Sequence, residues 1–254
     1  MLKPNAANAL IAVALGFAVI LAANVLVGLV LMLAGDGELE PTAMVGPGLV
    51  VQGICMMFFV VRWARATEGG AEQVLAAVPA TRWWLVLFIV PAGLLSDFVI
   101  QELAAWAPWL DQGGLDGLTD ALEAQRVWIV VGAVGLAPFY EELLFRGLVW
   151  TGLEKSLGPI AAWVGTTVLF VVFHADPLHM AGVLFVGIWL GWIRMATGSV
   201  LPCIAAHLTN NLVWALLGGL LPFDALPWWI APLCITLLLV AAAASFRPPA
   251  SASS

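Results

Sequence analysis

The sequence predicts an all-α protein, a polytopic transmembrane helical bundle of about eight spans. Of its 254 residues, 63% are hydrophobic and only 10% are charged, whereas soluble domains carry roughly 25% charged residues. The mean hydropathy is +1.03, and apolar runs of about 20 residues, the length that crosses a bilayer, recur along the chain. Lipid must therefore cover most of the surface. The length leaves no room for a sizeable soluble domain, so we predict a single membrane-embedded domain over residues 1–254.

Eight apolar runs have the length of a spanning helix. The first run is too long for the core of a signal peptide and lacks a clear cleavage site, so we expect it to remain as a span. The sixth and seventh runs nearly touch, with a short junction at residues 197–199. The predicted spans are residues 9–34, 46–63, 83–107, 127–151, 159–176, 178–197, 199–218 and 227–246.

The charged residues of the loops sort by sign when the N-terminus is placed in the cytoplasm and the sides alternate. The cytoplasmic segments then hold Lys3, Arg62, Arg65, Arg82, Lys155, Arg194 and Arg247. The opposite side holds Asp36, Glu38, Glu40, Asp111, Asp116, Asp120, Glu123 and Asp224, with Arg126 as its only cation. Because Lys and Arg of short loops stay in the cytoplasm, we expect both termini there. Short loops favour a bacterial inner membrane.

The cysteines and tryptophans are interpreted as structural residues. Cys55, Cys203 and Cys234 lie in apolar segments without C-x-x-C spacing, which indicates small buried side chains rather than disulfides or a metal site. Six tryptophans lie near span ends, as membrane-interface residues do: Trp83, Trp84, Trp106, Trp109, Trp228 and Trp229. We expect no nucleic-acid partner.

Polar groups inside the predicted spans concentrate in the second half of the chain. Ionisable side chains at membrane depth are costly and are by default candidates for a functional site. The candidates are Glu141, Glu142, Arg146, His174, His207 and Asn211.

Helical spacing predicts how these candidates pair. Glu142 and Arg146 are four residues apart and are expected to form an ion pair along one face, leaving Glu141 free. Glu141 and Glu142 point about 100° apart on a helix, so both cannot face one site equally. His207 and Asn211, also four residues apart, can present two polar groups to one cavity.

One carboxylate and two imidazoles in a low-dielectric pocket suit hydrolysis. A carboxylate can take a proton from water with the help of a histidine, and imidazole or amide donors can stabilise the oxyanion. The same three groups could instead ligate a zinc ion with an open water position. The sequence has no H-E-x-x-H, G-x-S-x-G or G-x-G-D motif, so the other intramembrane protease chemistries lack their motifs.

Three motifs, each on its own predicted span, carry a family resemblance. They are E-E-x-x-x-R at residues 141–146, F-x-x-x-H at 170–174 and H-x-x-x-N at 207–211. This set resembles the CPBP family of CAAX and Abi intramembrane proteases, which includes the Rce1-like prenyl endopeptidases. The similarity covers about residues 127–218 and implies a bundle of about eight helices that hydrolyses peptide bonds inside the membrane.

The resemblance also implies roles for individual residues. Glu141 and His174 would activate the water, and His207 and Asn211 would form the oxyanion hole, with Glu142, Arg146 and Phe170 supporting them. We expect no required cofactor; a bound Zn²⁺ would be held by Glu141, His174 and His207. The substrate would be a membrane-associated peptide or protein, and the sequence does not tell whether it is prenylated.

Two other function classes use the same buried groups. A transporter could relay protons through them, but it would more often show two similar halves, and none is visible. A non-catalytic membrane scaffold could keep the ion cluster for structural reasons alone. No role follows from the sequence for Asp97 or Glu102, and His179 is expected at the interface or behind the site.

The predicted spans place the site residues at unequal depths. At about 1.5 Å per residue, Glu141 lies about 15 Å and His207 about 12 Å from the cytoplasmic ends of their spans, but His174 lies about 22 Å deep. A single site therefore requires the fifth helix to tilt strongly or to begin inside its predicted boundary.

Overall fold

The fold of the described residues is entirely helical apart from short connections. The structure is a computed structural model that describes residues 1–34, 41–78, 80–110, 125–217 and 226–246. Its helices are α1 (Ala6–Ala34), α2 (Pro41–Ala66), α3 (Gly70–Leu75), α4 (Trp83–Trp106), α5 (Gln125–Leu157), α6 (Pro159–Val172), α7 (Pro177–Thr197), α8 (Leu201–Leu217) and α9 (Ile230–Ser245). The predicted all-α transmembrane bundle is confirmed. The loop acids predicted for the exterior, from Asp36 to Asp224, lie outside the described residues, as does Arg247.

Five of these helices are long and apolar enough to cross a membrane: α1, α2 (over Met44–Ala66), α4, α5 and α7. Helices α6 and α9 are apolar but shorter, at 14 and 16 residues, and α8 has 17 residues. The number of complete spans stays a prediction. The six tryptophans predicted at membrane interfaces are all between 39% and 77% exposed, as lipid-interface anchors would be.

Two hydrophobic clusters hold the described helices together. The first joins α1, α2 and α5 through buried residues such as Ala12, Met56 and Phe145. The second joins α4, α7, α8 and α9, with Leu190 of α7 and Ala206 of α8 both fully buried. Helix α5 lies in the first cluster and α8 in the second, so each half of the bundle holds one of the polar motif helices.

Helix α5 departs from regular α geometry on both sides of its glutamates. The segments Val130–Leu136 and Leu143–Val149 are π-helical, and the α-helical turn Ala137–Glu142 lies between them. Single π turns inside α-helices are frequent at functional sites. The Ala137 N–H donates to the Gly132 carbonyl, five residues back.

A proline adds to this irregularity. With Ala137 bonded to Gly132, the next helical donor for the Ala133 carbonyl would be residue 138, which is Pro138 and has no N–H. The Ala133 carbonyl is therefore left without a partner in its own helix and needs one from elsewhere.

The helix lengths bring the predicted site residues to similar depths. Helix α5 continues to Leu157, beyond the predicted end at 151, because the amphipathic segment that follows is too polar for an apolar-run criterion. Counted from Leu157, Glu141 lies about 24 Å along the helix, and His174 lies about 22 Å from Pro159. The mismatch in depth came from the predicted boundary of the fourth span rather than from a tilt of the fifth.

The short helix α3 sets the depth at which α8 begins. A Cβ on Gly147 of α5 would lie only 3.1 Å from the Leu75 Cα, so α3 packs directly on this glycine. The backbone after α3 then holds the α7–α8 turn, since Val200 N–H donates to Ala76 O (3.1 Å) and Ser199 Oγ donates to Val78 O (2.6 Å). Helix α8 therefore begins inside the bundle, and its seventh residue, His207, lies at the level of the glutamates.

Candidate active site

The site contains a buried ion pair within α5. Arg146 Nη1 donates to Glu142 Oε1 at 3.0 Å, and neither side chain is exposed. This confirms the pairing predicted from their spacing. Arg146 Nη2 donates to the Gly187 carbonyl of α7 at 2.9 Å, which ties the pair to a second helix.

Phe170 of α6 lies on the guanidinium. The Arg146 Cζ is 4.5 Å from the centre of the Phe170 ring, a cation–π contact between two fully buried side chains. Helix α7 comes close enough for this arrangement because residue 187 is glycine: a Cβ there would lie 3.1 Å from Phe170 Cδ1. The ion pair, the ring and the glycine thus hold α5, α6 and α7 together.

His207 of α8 lies between the two glutamates. Its Nδ1 is 2.9 Å from Glu142 Oε1, and because a carboxylate only accepts, Nδ1–H is the donor. Its Nε2, on the opposite edge of the ring, is 3.9 Å from Glu141 Oε2, an ion-pair distance too long for a hydrogen bond. Both glutamates therefore approach one imidazole, from opposite edges, although their side chains diverge on the helix.

His174 lies in the turn between α6 and α7. Its Nδ1 is 2.9 Å from the Phe170 carbonyl, so Nδ1–H donates and the neutral ring keeps a free lone pair on Nε2. The Phe170 ring contacts both histidines, with centroid distances of 4.9 Å to His174 and 5.8 Å to His207. His179 lies behind His174, with the two ring centres 4.6 Å apart.

Asn211 supplies the partner that the irregular α5 lacks. Its Nδ2 donates at 2.8 Å to the Ala133 carbonyl, which lacks a donor in its own helix because residue 138 is a proline. Its Oδ1 accepts from Asn210 Nδ2 at 3.2 Å, which fixes the orientation of the amide. One N–H of Asn211 remains for another acceptor.

The structure brings most of the predicted site residues together, but not in every predicted combination. Glu141, Glu142, Arg146 and His207 form one contiguous polar cluster, each less than 10% exposed. Across the described residues, no hydrogen bond or ion pair joins Glu141 to His174; the two are linked through His207 and Phe170. Nor do three His, Cys, Asp or Glu side chains within those residues lie close enough to hold a metal ion.

Comparison with known families identifies the segment that carries this cluster. Residues 123–213 match the family model of the type II CAAX prenyl endopeptidase Rce1-like proteins. Residues 123–213 are therefore similar to an Rce1-like domain. The match covers somewhat more than a third of the chain and contains all three motifs. Searches of curated proteins and of solved structures gave no match. The protein is thus a multi-pass integral membrane protein with a segment similar to a protease family.

Two residues of the Rce1-like domain were missed by sequence reasoning. The side chain of Tyr140, only 2% exposed, packs in the cluster of α1, α2 and α5. Tyr140 is the only tyrosine of the chain and directly precedes the two glutamates, which was a usable signal. Arg194 of α7 is also buried, and its Nε donates to the Arg146 carbonyl at 2.8 Å. The two arginines are 48 residues apart in the sequence, and helical spacing does not predict a contact over that separation.

The remaining polar residues of the predicted spans stay apart from this cluster. Asp97 is half-buried on α4, and Glu102, one turn further, is exposed, as expected for a residue near the surface. The N–H of His179 donates to Asp176 Oδ1 at 2.7 Å, an N-terminal cap of α7. The turn that holds His174 is therefore fixed by a helix cap.

Proposed function

We propose that the protein is an intramembrane endopeptidase that hydrolyses peptide bonds of membrane-associated peptides or of lipidated, CAAX-type protein tails. The observation that carries this proposal is the His207 imidazole held between Glu142 and Glu141 in the Rce1-like domain. Glu142 is ion-paired with Arg146, whereas Glu141 has no cation within hydrogen-bond distance in the described residues. Glu141 is thus the carboxylate available for proton transfer.

In the proposed reaction, Glu141 removes a proton from a water molecule as the water oxygen attacks the scissile carbonyl. The free Nε2 lone pair of His174 accepts a hydrogen bond from the same water and orients it. The C–N bond then breaks, and the protonated Glu141 returns its proton to the departing amine. The product carboxylic acid passes its own proton to the product amine, so a carboxylate and an ammonium group leave and Glu141 is again a carboxylate.

His207 and Asn211 are proposed to stabilise the oxyanion of the tetrahedral intermediate. Since Nδ1–H of His207 already donates to Glu142, its Nε2 can donate to an oxyanion only when the ring carries both protons. The second N–H of Asn211, left over from its bond to Ala133, is the other donor.

Three residues are proposed to support the site rather than to touch substrate. Glu142 orients His207, and Arg146 neutralises Glu142. Phe170 separates the guanidinium from the two histidines, with its ring in contact with all three. A metal-free mechanism is part of the proposal, because the donor atoms do not converge on one point.

The substrate side of the proposal is tested with two quenched-fluorescence peptides in detergent or liposomes. One carries a farnesylated cysteine followed by three C-terminal residues, and the other is an unlipidated apolar peptide long enough to span a bilayer. Cleavage of the first alone supports a CAAX-type substrate, and cleavage of the second supports a general membrane peptide. Wild-type protein that cleaves neither would contradict the proposed function.

The mechanism is tested on whichever peptide is cleaved. We expect Glu141→Gln and His174→Ala each to abolish cleavage, and the double variant to lose little more, because residues that act as one unit are non-additive. Asn211→Ala should keep some activity, since one oxyanion donor contributes about 10²–10³ in rate. Full activity of Glu141→Gln would refute the assignment of the base.

A chelation experiment separates the two water-activating chemistries. We expect activity to survive strong chelators, with no gain on adding zinc. Loss of activity on chelation, followed by recovery with zinc, would refute the metal-free mechanism and leave the endopeptidase assignment in place.

The proposal also includes the type of membrane and the orientation of the protein in it. We place the protein in a bacterial inner membrane with both termini in the cytoplasm, on the basis of the basic residues of its short loops. The Leu157–Pro159 turn between α5 and α6 would then face the cytoplasm, with the site about 22–24 Å above it.

A further inference from the structure

A cavity lies where three helices end on the same side of the bundle. Its volume is about 220 Å³, and its walls come from the residue before α4, the last turns of α7 and the end of α9. The residues that line it are Arg82, Trp192, Met195, Ala196, Ser245 and Phe246. None of them belongs to the candidate active site, so this Arg82 cavity is a separate feature of the molecule.

The guanidinium of Arg82 is the charged group of the cavity. Its Nη1 donates to the Ala196 carbonyl at 2.7 Å, which holds it against the last turn of α7. That bond uses one of five N–H groups, and among the described residues Arg82 has no other hydrogen bond and no ion pair. Its backbone is left-handed (φ 59°, ψ 36°), which is uncommon for residues other than glycine and occurs more often at ligand sites.

The other walls of the cavity are apolar or already hydrogen-bonded. Trp192 Nε1 donates to Ser245 Oγ at 3.2 Å, and the Ser245 hydroxyl donates to the Ala242 carbonyl at 2.7 Å. The rings of Trp192 and Phe246 meet edge to face with their centres 5.0 Å apart. A cation beside aromatic walls suits an anionic group that is joined to an apolar body.

The neighbours of Arg82 place the cavity at the membrane interface. Trp83 and Trp84 are 47% and 39% exposed, and Phe246 is 72% exposed. Tryptophans are enriched at the depth of the lipid headgroups. The volume is below the roughly 300–1,000 Å³ of pockets that bury a drug-sized ligand. The cavity therefore accommodates one group of a larger molecule, whose remainder can stay in the bilayer.

We propose that the Arg82 cavity binds the headgroup phosphate of an anionic phospholipid. The lipid belongs to the leaflet at this end of the bundle, which is cytoplasmic in the proposed orientation. The guanidinium donates to two phosphate oxygens, and the aromatic walls contact the glycerol carbons. Basic pockets between spanning helices bind anionic headgroups at the cytoplasmic side. This inference does not depend on the proposed protease activity.

An anionic lipid is favoured over a zwitterionic one by the charge of the cavity. Arg82 has no carboxylate partner among the described residues. In phosphatidylglycerol the phosphate charge is not balanced within the headgroup, whereas in phosphatidylcholine a quaternary ammonium group balances it. Phosphatidylglycerol therefore leaves a net negative charge for Arg82 to neutralise.

Thermal unfolding of the detergent-purified protein tests the proposal. The protein is titrated with short-chain phosphatidylglycerol, with phosphatidylcholine of the same chain length, or with inorganic phosphate. A ligand that binds the folded state raises the unfolding temperature, and the concentration dependence gives its apparent affinity. The variants are Arg82→Gln and Arg82→Lys. The matched control is Arg65→Gln, which removes an exposed arginine from the last turn of α2, on the same predicted side.

We expect phosphatidylglycerol to bind wild-type protein more tightly than phosphatidylcholine does. Arg82→Gln should weaken the affinity for phosphatidylglycerol by about 10–100-fold, the range that corresponds to hydrogen bonds with a charged group. Arg82→Lys should weaken it less, because lysine keeps the charge but loses the paired donors. Arg65→Gln should stay within about twofold of wild type.

Three results would overturn the proposal. The first is equal affinity of wild type and Arg82→Gln for phosphatidylglycerol, and the second is equal affinity of wild type for the two lipids. The third is inorganic phosphate that binds as tightly as phosphatidylglycerol with the same loss in Arg82→Gln, which would make free phosphate the occupant. If Arg82→Gln fails to fold, Arg82→Lys decides: wild-type affinity refutes the proposal, and weaker binding with Arg65→Gln unaffected supports it.

Discussion

Replacing Glu142 by glutamine tests the energetics of the buried cluster. The Glu142 side chain is not exposed at all, and its Oε1 accepts from both Arg146 and His207. Its Oε2 is buried without a hydrogen-bond partner in the described residues. Glutamine can keep the accepting oxygen in place, but it removes the negative charge and puts an NH₂ group where Oε2 lies.

Both changes destabilise the fold. Removing one partner of a buried ion pair costs about 3–5 kcal/mol, because the other charge is left uncompensated. Arg146 would keep only the Gly187 carbonyl and the Phe170 ring. At about 2–4 °C per kcal/mol for a chain of this size, the unfolding temperature should fall by roughly 6–20 °C.

Thermal unfolding of detergent-purified protein, followed by tryptophan fluorescence, measures this loss. The matched control is Glu141→Gln, which removes a carboxylate with no cation at hydrogen-bond distance in the described residues, and which should shift stability by about 1 kcal/mol or less. Replacing Glu142 and Arg146 together by leucine should recover much of the loss, since the buried charge is then gone. Equal losses for the two glutamine variants, or no recovery in the double variant, would refute the reasoning.

Three further predictions concern packing, the α5 irregularity and topology. Gly132→Ala should lower the unfolding temperature far more than Gly135→Ala in the same helix, because a Cβ at Gly132 would lie 2.6 Å from Leu49 Cβ and one at Gly135 has no contact closer than 3.6 Å. Asn211→Ala should cost about 1–3 kcal/mol in addition to its effect on rate, because it uncaps a buried carbonyl; unchanged unfolding would contradict this structural role. Reporter fusions at Ala66 should read cytoplasmic and those near residue 116 exterior, and an exterior signal at Ala66 would overturn the proposed orientation.

Local spacing was sufficient to predict the ion pair but not its surroundings. Glu142 and Arg146 are neighbours on any helix, so their contact follows from the sequence. The position of His207 between the glutamates depends on how α8 packs against α5, which no spacing within one helix contains. Phe170 was assigned a supporting role from the family resemblance, and the structure shows its ring in a cation–π contact with Arg146.

The elements that sequence reasoning missed share a physical cause. Helix α3 and the end of α5 are too short or too polar for an apolar-run criterion, although they set the depth of the site. The π turns of α5 are not visible in the apolar pattern, and neither is the bond of Asn211 to the Ala133 carbonyl beside the first of them. The amides Asn24 and Gln52 were visible as isolated polar residues in apolar runs, but their bond requires the packing of α1 on α2.

The bond between Asn24 and Gln52 also bears on how the chain is made. Chains are generally synthesised and folded from the N-terminus, so α1 and α2 enter the bilayer before α5 exists. An unbonded amide in hydrocarbon is costly, and these two amides satisfy each other across the hairpin without help from later helices. The hairpin of α1 and α2 can therefore stay in the membrane with its two amides already bonded to each other while the later helices are made.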